Sequence, residues 1–133
     1  MAKILVVDDE TDVLGLMDWV LSAEGYEVVL ARDGVIALDL MDEYCFDLVI
    51  LDVMMPNKNG LEVVRDMKKN KRLRSVPIII FTALGTGVRM MLDEENQADD
   101  YIQKPFRQKD VVNKVEKIFR KKTELERAGW IRQ

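Results

Sequence analysis

The sequence predicts an α/β domain: a doubly wound, five-stranded parallel sheet with helices on both faces. Three observations carry that expectation. The apolar runs Ile4-Leu5-Val6-Val7, Leu48-Val49-Ile50-Leu51 and Ile78-Ile79-Ile80-Phe81 read as strands covered on both sides, as parallel strands are. Between them lie longer stretches whose apolar residues recur at helical spacing. Strict alternation of strand and helix then leads to a parallel sheet with right-handed crossovers.

The elements follow in order. Strand one is expected at 3–8. A helix at 12–24 is set by Val13, Leu16, Met17, Val20 and Leu21 and closes at Gly25. Trp19 falls off that stripe and Leu14 sits at its edge near the strand ends, a pair that reads either as an exposed contact or as packed against a neighbouring helix. Strand two, 26–31, ends at the turn signal Asp33-Gly34. A helix at 35–44 turns Ala37, Leu38 and Met41 inward, and strand three spans 47–51. Past a loop with Pro56 and Gly60, a helix at 61–70 leads through a basic loop to strand four at 77–81. A fourth helix at 86–96 precedes strand five at 100–103, and the last helix starts near 107, burying Val111, Val112, Val115 and Phe119. Residues 1–122 are expected to form the domain, with 123–133 either a tail that extends the last helix, Trp130 and Ile131 packing back or offering a contact, or the start of a linker.

Composition narrows the function. With 133 residues, 48% of them hydrophobic, the chain has the size and apolar content of one domain with a real core. No apolar run approaches the roughly 18 to 20 residues of a membrane span, and the first residues lack a signal-peptide pattern, so a cytoplasmic protein is expected. The single cysteine, Cys45, excludes an intramolecular disulfide and reads as a buried or half-buried apolar filler. There is no histidine, so imidazole bases, His-based zinc sites and phosphohistidine intermediates cannot arise within the chain. No phosphate-binding glycine loop is present either, so ATP is not expected as a direct phosphodonor. Charge is split: residues 107–133 carry a net +5, the rest −9. Arg65, Lys68, Lys69, Lys71, Arg72 and Arg74 form a second basic cluster, read as a solvated face.

The polar residues at the strand ends point to one site. Asp8 and Asp9 follow strand one, Asp52 follows strand three, Thr82 follows strand four and Lys104 follows strand five. Open parallel sheets bind ligands outside the carboxyl ends of their strands. Three carboxylates held together repel one another unless a cation offsets them, and hard oxygen ligands without His or Cys suit Mg2+. With Lys104 added, such a site is near neutral and fit to accept a phosphoryl group, a chemistry that depends mostly on positioning and electrostatics. Taken singly, Asp8 or Asp9 also reads as a helix cap, Thr82 as a strand-end residue or cap, and Lys104 as a solvated lysine.

At these residues the chain resembles the receiver domain of two-component response regulators. The resemblance rests on Asp8-Asp9, on Asp52-Val53-Met54-Met55-Pro56 through Gly60, on Thr82-Ala83, and on Asp99 through Phe106, and covers about residues 3 to 120. It implies a flavodoxin-like sheet in the order 2-1-3-4-5, with the switch point between strands one and three. It implies that Asp52 accepts a phosphoryl group from the phosphohistidine of a sensor histidine kinase or histidine phosphotransfer protein. Asp8, Asp9, Asp52 and the Met54 carbonyl would hold Mg2+, and Thr82 and Lys104 would read the phosphoryl oxygens. Thr82 and Tyr101 would be switch residues, and the Lys104-Pro105 peptide would be cis.

Under the same resemblance, a downstream protein partner would read the face formed by the helix at 86–96, strand five and the last helix. Direct nucleic-acid binding and membrane association are not expected. Met54 and Leu84 occupy positions tied to phosphoryl lifetime, and neither side chain can orient water, so slow self-dephosphorylation is expected. The chain departs from the family pattern at Gln97, where glycine is common, leaving Asn96 to end the helix, and at Met90, where a basic residue is usual. The reading is a signalling domain rather than an enzyme, a single-domain regulator, with a receiver fragment of a DNA-binding regulator or hybrid kinase as the alternative. A Mg-dependent aspartyl-phosphate hydrolase needs a second acid two residues after Asp52, where Met54 stands. A flavin binder needs a phosphate cradle, which Asp8-Asp9-Glu10 contradicts.

Overall fold

The computed structural model describes residues 1–83 and 98–129. In chain order its elements are β1 (Lys3–Val7), α1 (Thr11–Ala23), β2 (Glu27–Ala31), α2 (Gly34–Glu43), β3 (Leu48–Asp52), α3 (Gly60–Lys69), β4 (Ile78–Thr82), β5 (Asp100–Gln103) and α4 (Gln108–Arg127). The expected helix at 86–96, with Leu84, Met90, Asn96 and Gln97, lies outside the described residues, as do Trp130 and Ile131.

All strand pairs are parallel, and the order is β2-β1-β3-β4-β5. Every residue of β3 and β4 is buried. Alternate residues supply the two faces, as the period of two requires. Leu5, Val7, Val49, Leu51, Ile78 and Ile80 pack with Ala37 and Met41 of α2 and Val63, Val64 and Met67 of α3. Ile4, Val6, Leu48, Ile50, Ile79 and Phe81 pack with Met17 and Leu21 of α1 and Val111 and Val115 of α4.

Local signals set the helix ends. Asp33 caps α2 by accepting from the Ile36 N–H at 2.8 Å. Asn59 and Glu62 form a reciprocal capping box at the start of α3. Gly25, at φ 91°, ends α1: the Tyr26 N–H reaches the Leu21 carbonyl and the Gly25 N–H the Ser22 carbonyl, the double bond of a Schellman turn.

Four expectations change. On α1 the buried stripe is Leu14, Met17, Val20 and Leu21, while Leu16 is 39% exposed. The buried face keeps Met17, Val20 and Leu21 of the expected stripe and takes Leu14 at its edge in place of Leu16, a rotation by part of a turn. Trp19 is exposed, but Leu14 is not its exposed companion. Cys45 is exposed, since it follows the end of α2 rather than pointing back at the core. Val112 and Phe119 are half-buried, leaving Val111 and Val115 as the inner row of α4.

Two glycines give opposite expectations. A Cβ on Gly60 would lie 2.2 Å from the Asp52 carbonyl oxygen, whereas one on Gly15 meets nothing within 4 Å. Chemical denaturation should show Gly15→Ala stabilising the protein by ~0.5 to 1 kcal/mol through helix propensity. Gly60→Ala should destabilise it by ~2 kcal/mol or more through backbone overlap.

Candidate functional site

The carboxyl ends of β1, β3 and β4 and the residue just after β5 meet at one edge of the sheet. Asp8 follows β1 and is wholly buried; its N–H still bonds the Ala31 carbonyl of β2 at 3.1 Å. Asp52 is the last residue of β3, 5% exposed and paired in register with Phe81. Thr82 ends β4 and is also buried. Its carbonyl accepts the Lys104 N–H at 3.0 Å, so β4 fixes the lysine's backbone, and the Lys104-Pro105 peptide that follows is cis.

The Lys104 ammonium joins the carboxylates. Nζ lies 2.7 Å from Asp8 Oδ2, 3.3 Å from Asp52 Oδ2 and 3.7 Å from Glu10 Oε1. It also stands 4.8 Å from the centre of the Phe81 ring, a cation–π contact, with Phe106 edge-on to that ring at 6.3 Å. The other oxygens are bound locally: Asp8 Oδ1 accepts from the Glu10 N–H at 2.9 Å and Asp52 Oδ1 from the Met54 N–H at 3.3 Å. Asp8 therefore shapes the turn into α1 without being its cap; the N-cap is Glu10, which makes no side-chain cap bond.

Burial pushes the Asp8 carboxyl above its usual range, against the Lys104 hydrogen bond, and the Asp52 charge adds to the rise. Burial likewise raises Asp52, with Lys104 opposing it. Burial would lower Lys104, but its bond to Asp8 and the charges of Asp52 and Asp8 more than offset this, and the ammonium is held above its usual range. Two buried carboxylates sharing one ammonium leave excess negative charge. A divalent cation with a preference for oxygen suits that donor set.

Among the described residues, Asp8, Asp9 and Glu10 can each bring one carboxylate oxygen within 4.8 Å of the others. Asp9 and Glu10 are exposed, and Asp52 stands outside this group, connected to Asp8 through Lys104. Met54 is 63% exposed beside Asp52. Tyr101 is not at the strand ends: it is half-buried in β5, in register with Ile80 and packed on the cluster under α2 and α3. Leu84 lies outside the described residues. Sequence reasoning missed Glu10 and Phe81 as neighbours of the lysine. The run Asp8-Asp9-Glu10 signalled the first, and nothing local to Phe81 signalled the second.

These shifts fix the sign of a pH effect. A carboxyl raised in the folded protein stabilises it below the ordinary pKa of 3.8, and that contribution is lost as pH rises through the raised value. In the absence of divalent cation, Asp52→Asn should raise the melting temperature at pH 8 by a few degrees, ~1 kcal/mol. The gain should shrink towards pH 4 and also when Mg2+ is added, as followed by thermal unfolding with and without chelator.

Comparison with known proteins fits this geometry. The family model for the response regulator receiver domain matches residues 4–116. The transcriptional regulatory protein CpxR of Escherichia coli (strain K12) is 40% identical over 121 residues, 91% of this chain and 50% of CpxR, so the chain spans about half the length of that relative. A receiver domain protein from Clostridium thermocellum superposes with a TM-score of 0.83 at 31% identity, covering 94% of this chain and 99% of that one. The response regulator TrrA from Thermotoga maritima, solved in complex with Mg(2+)-BeF, gives 0.79 at 37% identity, over 89% and 99%. With a match to most of its length, the five-stranded order and the acidic strand ends, the chain belongs to the response regulator receiver domain family of two-component systems.

Proposed function

We propose that Asp52 is a phosphoacceptor, taking a phosphoryl group from the phosphohistidine of a sensor histidine kinase or phosphotransfer protein. The observation that carries this reading is the single Lys104 ammonium within reach of two buried carboxylates on neighbouring strands, Asp8 and Asp52. An Asp52 oxygen forms the new P–O bond as the P–N bond of the donor breaks and the imidazole leaves. Lys104 lies where it can turn from Asp52 to the incoming phosphoryl oxygens, and the Thr82 hydroxyl is the second donor to them. Asp8, Asp9, Asp52 and the Met54 carbonyl are the residues that would hold Mg2+; the ion supplies charge neutralisation for the phosphoryl oxygens. All are oxygen donors, and the buried carboxylates carry the unbalanced charge that fits a divalent ion.

In this reading the Thr82 hydroxyl moves towards the phosphoryl group and Tyr101 shifts with it, biasing an existing equilibrium between surface shapes. A protein partner then reads the face that includes β5 and α4. On that face Lys114 bonds Asp100 at 2.9 Å within the chain. The readout is by protein contact, without direct nucleic-acid binding, in the cytoplasm. No described helix is long and apolar enough to cross a membrane.

A second reading makes this chain the receiver half of a DNA-binding regulator. It is favoured by the 40% identity to a transcriptional regulatory protein over half of that protein's length. An open reading frame continuing past Gln133 into a second domain supports it; a stop codon there supports the stand-alone regulator.

Intact-mass spectrometry after incubation with acetyl phosphate and Mg2+ should show one phosphoryl adduct, lost with chelator and in Asp52→Asn. No adduct on the folded wild-type protein, with Mg2+ bound, contradicts the reading. Met54 is exposed at the site and cannot orient water, so the adduct should decay slowly, and Met54→Asn should speed its decay by ~threefold or more.

A further inference from the structure

The loop between β3 and α3 follows Asp52 directly, and after Val53, which is buried in the core, its side chains bury little. Met54, Pro56 and Asn57 are exposed, while Met55 packs against the core. The loop is held by close backbone approach and polar bonds. At its end, Gly60 lies against the Asp52 carbonyl and its N–H donates to the Val53 carbonyl at 3.0 Å. In its middle, Asn57 takes φ 66°, the left-handed region that few residues other than glycine tolerate and that asparagine does.

From that backbone Asn57 Nδ2 donates to Asp33 Oδ2 at 3.1 Å, across 24 positions of sequence. The other oxygen of Asp33 is the α2 cap. Beside it, a Cβ on Gly34 would lie 2.4 Å from the Lys58 carbonyl oxygen. Two consecutive residues of the loop, 57 and 58, are thus seated on two consecutive residues of the β2–α2 turn, 33 and 34. Capping α2 needs only one oxygen of Asp33. The second oxygen, and the left-handed asparagine that reaches it, serve the loop.

We infer that Asn57, through its bond to Asp33, is a positioning residue for phosphoryl transfer: it fixes the loop so that the Met54 backbone is held beside Asp52. The Met54 N–H already bonds Asp52 Oδ1. The inference rests on the reading of Asp52 as phosphoacceptor and of the Met54 carbonyl as a Mg2+ ligand. A hydrogen bond exposed to water adds little to global stability, so its effect falls on local opening of the loop.

The test uses the full chain and four variants. Asn57→Gly keeps the left-handed backbone and removes the amide. Asp33→Ser keeps a capping oxygen and withdraws the second one. Asn57→Asp sets two carboxylates against each other, and D33N/N57D restores the bond with donor and acceptor exchanged. Mg2+ affinity is measured by calorimetry with MgCl2. Amide exchange is followed at Lys58 and Gly60, whose N–H groups bond the Pro56 and Val53 carbonyls within the loop. In the single variants Mg2+ binding should weaken by ~3- to 10-fold and loop exchange should quicken similarly, with α2 still protected, while D33N/N57D should recover to within ~twofold of wild type. Wild-type affinity and exchange in Asn57→Gly and Asp33→Ser, or D33N/N57D as impaired as Asn57→Asp, overturns the inference. A wild-type protein that takes no phosphoryl group counts instead against the reading of Asp52.

Discussion

One ammonium shared by two buried carboxylates is the interaction on which the site depends. Asp8 and Asp52 sit where desolvation opposes their charge, and Lys104 is the cation that lets them remain there. Removing it would leave two buried acids without a counter-charge, a costly arrangement. Keeping it leaves the pair short of positive charge. A site balanced in this way has a use for both a divalent cation and the exchange of a lysine contact from carboxylate to phosphoryl oxygen.

The fold delivers these groups by repetition of one device. Parallel strands end at a common edge, so the residue at or just after each strand end arrives in the same place. β3 and β4, buried along their whole length, carry Asp52 and Thr82. Lys104 comes from the edge strand, but its backbone is tied to Thr82 and its side chain lies along Phe81. The loop after β3, beyond the buried Val53, has little apolar anchorage, and it is seated by Gly60 against Asp52 and by residues 57 and 58 against the β2–α2 turn.

Much of this was legible in the sequence because it is local. The runs 4–7, 48–51 and 78–81 read as buried strands and are buried; Asp33-Gly34 read as a turn and caps α2. The strand-end residues Asp8, Asp52, Thr82 and Lys104 were identifiable as a group from their place after apolar runs, and the structure brings them together. Other features depend on what lies across space. Leu14 rather than Leu16 faces the sheet because the helix is rotated by part of a turn, a choice that apolar residues on both sides of Met17, Val20 and Leu21 do not decide. Cys45 is exposed because the chain has already left α2. The Asn57–Asp33 bond and the Phe81 ring beneath Lys104 join residues distant in sequence and have no local signature.

The most direct test of the shared ammonium is a carboxyl-carbon NMR titration of the aspartates in the wild-type protein and in Lys104→Met, each without and with Mg2+. If Lys104 offsets the buried pair, Asp8 and Asp52 titrate above the usual aspartate range in the metal-free wild type, higher still in Lys104→Met, and lower in both proteins once Mg2+ is added. Asp8 and Asp52 titrating at ordinary values, unmoved by loss of the lysine and by Mg2+, would contradict the electrostatic basis of the site.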